Sequence, residues 1–173
     1  MDTDTDKQHR RRVVSWAMGA LSVDLISKMI AVDTLGGKSH KVEAAGLHWS
    51  LAYDPGDSIS PYHSPLLEVM VLHIAMLGVL IVLAKYGKNI IGAIGAGLSI
   101  GGLCGNWLDL SVGNKTVVDF IGVGAWKIFN LADFCVILGV VMLGVGLISR
   151  RVAQKRADEA APTSSAPNEE VAA

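Results

Sequence analysis

Long apolar runs alternate with short charged ones along this chain. Four of the runs are close to the roughly 20 helical residues needed to cross a hydrocarbon core: 13–32, 66–84, 90–108 and 131–149. The pattern predicts an all-α membrane protein in which four transmembrane helices form a domain over 13–149, between a basic N-terminus (1–12) and a polar tail (150–173). The first run follows "KQHRRR" as a signal peptide would, but it contains Asp24 and Lys28 and lacks a small-residue cleavage site, so it reads as a retained span. The tail is rich in Ala, Pro, Ser and Glu, with little to bury, and is expected to be disordered.

Composition agrees with this pattern. The chain is 51% hydrophobic and only 18% charged, against about a quarter charged in an ordinary soluble domain, and its mean hydropathy is +0.43. The net charge of −1 hides a strong segregation, with charges gathered at the ends and in short connections. No broad basic face is available for nucleic acid. Lys7 and Arg10 to Arg12, Lys85 and Lys88, and Arg150, Arg151, Lys155 and Arg156 flank the spans on one side of an even count. Lys and Arg near span ends favour the cytoplasm. Both termini are therefore expected inside, and the connections 33–65 and 109–130 outside.

Several chemistries find no support. Cys104 and Cys135 lie in apolar segments without metal-ligand spacing and read as packing residues. His48 and His63 read as surface or packing residues, and the glycines of "IGAIGAGLSIGG" read as close helix packing rather than a phosphate loop. No metal, nucleotide or redox cofactor is expected.

The topology sorts the remaining polar residues by depth. Asn106 and Asp109 come at the outer end of the third span, Asn130 and Asp133 at the outer beginning of the fourth, and Asp119 in the loop before it. Asp24 and Lys28, four residues apart on one face of the first span, form either an ion pair for helix packing or a support for a site. Singly, Asp133 reads as a helix cap and Asp119 as a loop carboxylate. Together they are two acids at one lipid interface, among Val117, Val118, Phe120, Phe129 and Phe134. Desolvation there raises carboxyl pKa values, and two close carboxyls tend to share a proton. Such a pair can activate water against a peptide bond. A small transporter is the rival class, but it would hold its essential acid near the bilayer midplane.

"GGLCGNWLD", "VVDF" and "FNLADF", in that order around the last two spans, resemble the lipoprotein signal peptidase (signal peptidase II) family. "VDLISK" looks like that family's Asp and Lys motif, and "YDPGDSIS" is similar to its Asn-Pro-Gly outer loop. The likeness runs from residue 14 to about 149. It implies a four-span aspartic endopeptidase of the bacterial cytoplasmic membrane, cutting prolipoproteins before a diacylglyceryl-modified cysteine at the outer face. By motif the catalytic pair would be Asp119 and Asp133, supported by Asp24, Lys28, Asp54, Gly56, Asn106, Asp109 and Asn130. The likeness also implies a monomer with lipid-modified precursors as partners, no cofactor, and a small extracytoplasmic β-sheet in the first outer loop, over "KVEAAGLHWSLAYD". Two positions depart from the family pattern: Asp54 stands where Asn is usual, and Leu110 where Arg usually follows the aspartate. A missing guanidinium implies altered substrate positioning. A divergent paralogue, or a catalytically silent lipoprotein- or lipid-binding relative, is the alternative.

Overall fold

The computed structural model describes residues 4–36, 42–44, 46–54, 65–112, 115–124 and 128–160. Four helices, α1 (Asp4–Leu35), α2 (Pro65–Tyr86), α3 (Ile90–Val112) and α4 (Leu131–Ala160), are accompanied by four short strands. α1, α3 and α4 are long and apolar enough to cross a membrane. α2 has 22 residues, a length of about 33 Å, and its side chains are described from His73 onward.

Two helices are longer than the spans expected within them. The described chain is already helical at Asp4, and Asp4 and Asp6 in that first turn suit the helix dipole, so the basic segment is helical too. α4 continues to Ala160. The expectation of disorder from residue 150 therefore fails for 150–160: "RRVAQKRADEA" contains strong helix formers and neither Gly nor Pro. Residues 161–173 lie outside the described residues.

α3 is the centre of the bundle. Its glycines let both neighbours approach at backbone distance, as small residues do between membrane helices. Side chains at Gly97, Gly101 and Gly105 would collide with Trp16, Ala17 and Asp24 of α1, and at Gly95 and Gly102 with Gly139 and Ala132 of α4. A core of Leu80, Ala84, Ala96, Leu103 and Leu143 joins α2, α3 and α4. Outward faces carry exposed apolar side chains such as Met18, Ile26, Met29, Ile137, Val141 and Ile148, a surface suited to lipid.

One end of the bundle gathers the basic clusters. Lys88 pairs with Asp6 at 2.6 Å, His9 Nε2 lies 2.9 Å from the Ala84 carbonyl, and Arg150 donates to the Tyr86 carbonyl at 2.5 Å. Asn89 caps α3 through the Gly92 N–H at 2.7 Å and donates to Gly146 of α4 at 2.7 Å.

The sheet lies at the other end and differs from expectation. Strands β1 (Val42–Ala44), β2 (Leu47–Asp54), β3 (Val117–Val123) and β4 (Ile128–Phe129) form one antiparallel sheet in the order β1-β2-β3-β4. It draws on both longer connections, 33–65 and 109–130, rather than the first alone. "VVDFIGV" is rich in β-branched residues, which suit a strand once β2 offers it an edge. Asp119 is thus in a strand and not in a loop. Its partner across β2 is Ala52, beyond a register irregularity between Trp49 and Ala52.

Candidate active site

Asp24, Lys28, Asn106, Asp109, Asp119, Asn130 and Asp133 converge where the sheet meets α1, α3 and α4. α1 contributes Asp24 and Lys28, which are 0% and 4% exposed. The Lys28 ammonium sits 2.8 Å from Asp24 Oδ2 and 2.9 Å from Asp109 Oδ2, and it donates to Asn106 Oδ1 at 2.9 Å. Its donors thus meet two carboxylates and an amide, so the buried charge is compensated. The pair joins α1 to α3 through Asp109 and Asn106.

The start of α4 is built by reciprocal capping. Asn130 Oδ1 accepts the Asp133 N–H at 3.0 Å, and Asp133 Oδ2 accepts the Asn130 N–H at 3.1 Å, a capping box with aspartate in the third helical position. Asp24 Oδ1 reaches across to accept the Ala132 N–H at 2.9 Å. Helix N-terminal N–H groups otherwise lack partners. Here Asp24 and Asn130 take the N–H groups of Ala132 and Asp133, while the Asn130 N–H holds the Asp133 carboxylate, so cap and site are one structure.

Two amides connect the acids. Asn106 Nδ2 donates to Asp133 Oδ1 at 2.9 Å, while Asn130 Nδ2 donates to Asp119 Oδ1 at 2.7 Å and to Asn106 Oδ1 at 3.0 Å. Lys28 polarises the Asn106 carbonyl, which strengthens the N–H donors at its other end. Asp109 Oδ2 also accepts the Val118 N–H at 3.2 Å, tying α3 to β3 one residue before Asp119.

Asp119 is 6% exposed. Burial, reinforced by the charges of Asp133 and Asp54, pushes its pKa up from the usual 3.8 to about 7, against the pull of the Asn130 hydrogen bond and of Lys28. The arrangement can hold a proton on one carboxyl while donors converge on both oxygens of the other.

A profile of the family described as Signal peptidase (SPase) II matches residues 16–149. The chain belongs to this family. It is 31% identical over 144 residues to a lipoprotein signal peptidase of Mycobacterium leprae, spanning 78% of this chain and 70% of that one. A lipoprotein signal peptidase of Rhodococcus jostii is 29% identical over 148 residues, spanning 79% and 73%. A solved bacterial membrane enzyme matches the fold with a TM-score of 0.68 at 22% identity, covering 78% of this chain and 91% of that chain. The family is one of peptidases.

Within this signal peptidase II fold, an apolar cleft of about 200 Å³ opens beside Asp133, walled by Val123, Phe129, Phe134 and Ile137. The Phe129 and Phe134 rings meet edge to face at 6.3 Å. Among the described residues no group of His, Cys, Asp or Glu could hold a metal ion. Cys104 and Cys135 are free and half-buried.

Other sequence expectations resolve differently. Leu110 is 2% exposed, so the position that follows Asp109 is packed inside the protein. Asp54 ends β2 opposite Val117 and acts on Asp119 through its charge. Gly56 and His63 lie outside the described residues. Sequence reasoning missed Gly105, whose absent side chain leaves the space that Asp24 fills; its spacing of four from Gly101 and Gly97 was the available signal. His48, read as a surface or packing residue, is buried with its ring packed over Gly122 of the neighbouring strand.

Proposed function

We propose that this chain is an aspartic endopeptidase that removes signal peptides from bacterial prolipoproteins, cutting before the diacylglyceryl-modified cysteine. The observation that carries this reading is the convergence of Asp119 and Asp133 on one amide-linked cluster at the sheet end of an apolar bundle. The family membership supports it. In this reading Asp119 holds the shared proton and Asp133 takes a proton from water. The hydroxyl adds to the scissile carbonyl carbon as Asp119 protonates its oxygen. The C–N bond then breaks, the proton on Asp133 passes to the leaving amine, and Asp119 recovers its own as the carbonyl re-forms. Asn106, Asn130 and Lys28 position the pair, and the cleft beside Asp133 takes apolar groups of a substrate that lies in the membrane.

The reading includes α2 as a fourth span, both termini in the cytoplasm and the sheet end outside, supported by the clustering of Lys and Arg at the opposite end. It takes the working unit to be a monomer. The placement of the acids at one end of the bundle favours chemistry on an externally presented substrate over transport through a central acid.

The test is cleavage of a purified lipid-modified precursor by the wild type and by Asp119→Asn and Asp133→Asn. An amide can neither take up nor supply the shared proton, so a loss of about 10²- to 10⁴-fold is expected in proteins that still accumulate in the membrane. Substantial turnover by either variant overturns the assignment.

A further inference from the structure

β2 carries a third carboxylate toward the pair. Across β2 and β3, Ala52 lies opposite Asp119, Tyr53 opposite Val118 and Asp54 opposite Val117. In an antiparallel ladder, opposed residues project from the same face and alternate residues share it. Ala52, Asp54, Val117 and Asp119 therefore occupy one face, while Tyr53 leaves on the other and is 52% exposed. Asp54 and Asp119 are diagonal neighbours, a relation that puts Cβ atoms roughly 7 Å apart. The residue directly opposite Asp119 is only an alanine.

Resting on the reading of Asp119 and Asp133 as the catalytic pair, we propose that Asp54 is a positioning residue whose charge keeps the shared proton on Asp119. The groups that act on Asp119 come from every element around it. Asp133 and the Asn130 amide come from the start of α4, Lys28 from α1, and Asp54 from β2; Asp109 of α3 is engaged by Lys28 at 2.9 Å. Lys28, already shared between two carboxylates, draws the proton away from Asp119, while Asp133 and Asp54 oppose it. Asp54 is half-buried at the strand end, so its field reaches Asp119 partly through protein. The pair needs one proton, and a second negative neighbour extends the pH range over which that proton stays bound. The register irregularity between Trp49 and Ala52 matters here: a one-residue slip would send Asp54 to the opposite face.

The experiment follows the ¹³C resonance of the Asp119 carboxyl through a pH titration in detergent micelles, for wild type, Asp54→Asn and Asp54→Glu, beside the pH profile of precursor cleavage. Two unit charges about 7 Å apart, at effective dielectric constants between about 80 and 20, correspond to a shift of roughly 0.4 to 1.7 pH units. Asp54→Asn, close to isosteric, is expected to lower the Asp119 midpoint by that amount and to bring the alkaline limb of cleavage down with it. Asp54→Glu is expected to restore both. An unchanged midpoint in Asp54→Asn overturns the proposal, as does a moved midpoint with a stationary alkaline limb. If Asp54→Asn does not fold, Asp54→Ser gives the same reading. Should the wild type cleave no precursor, the peptidase reading fails and the role of Asp54 in catalysis fails with it, while the carboxyl titration still separates that result from an absence of coupling.

Discussion

Asp24 Oδ1 accepts the backbone N–H of Ala132 at 2.9 Å, so a side chain of the first helix caps the fourth. The same carboxylate holds Lys28 through its other oxygen at 2.8 Å. One fully buried group thus orders the helix on which Asp133 stands and neutralises the cation beneath Asn106. Replacing it disturbs both at once. Asp24→Ala is expected to cost about 3–5 kcal/mol, the range for removing one partner of a buried ion pair, read as a lower midpoint of thermal unfolding in detergent.

Gly105 is the counterpart of that carboxylate on α3. A methyl group there would overlap the Asp24 side chain, so Gly105→Ala is expected to lower both thermal stability and cleavage. Gly144, on α4, has nothing within 4 Å of the place a side chain would take. Gly144→Ala is expected to be neutral or to stabilise by up to about 1 kcal/mol through helix propensity. A stable and active Gly105→Ala protein would show that the helix contact is looser than the structure places it.

Cleavage is expected to decline as pH rises through about 7, because the Asp119 proton is lost there. Beyond that point each further pH unit should lower the rate about tenfold. The same group contributes to stability with a defined sign. Folded Asp119 titrates near 7 and an unfolded aspartate near 3.8, so the folded state binds more protons in that window. Its contribution to stability therefore falls as pH rises between those values. A pH profile of cleavage together with thermal midpoints across the same range checks both slopes.

Leu110→Arg is expected to destabilise the protein rather than improve substrate use. Leu110 is 2% exposed, and a guanidinium placed there without a partner would cost several kcal/mol. The measurement is thermal stability in detergent, with cleavage kinetics on several lipid-modified precursors. An equally stable variant with a lower KM would show instead that the position reaches the substrate.

The sequence by itself determined the helices and the candidate polar residues of the site. Apolar runs of span length are a local property, and so are the spacing of four between Asp24 and Lys28 and the Asn130 and Asp133 signature at the start of α4. The glycine pattern of α3 announced close packing for the same reason. What needed the tertiary structure was every relation between distant segments. β3 is a strand because β2, more than sixty residues earlier, supplies its hydrogen-bonding edge; the β-branched residues of "VVDFIGV" suit a strand but do not say which edge it joins. Asp24 caps α4 because Gly105 makes room for it, although 108 residues separate Asp24 from Ala132. The burial of Leu110 depends on how the end of α3 turns into the bundle, which a comparison of motifs does not contain. The tail shows the opposite case: its polarity suggested disorder, yet local helix propensity carries α4 on to Ala160. Asp54 acquires its relation to Asp119 only through cross-strand register, where a shift of one residue would place the two carboxylates on opposite faces.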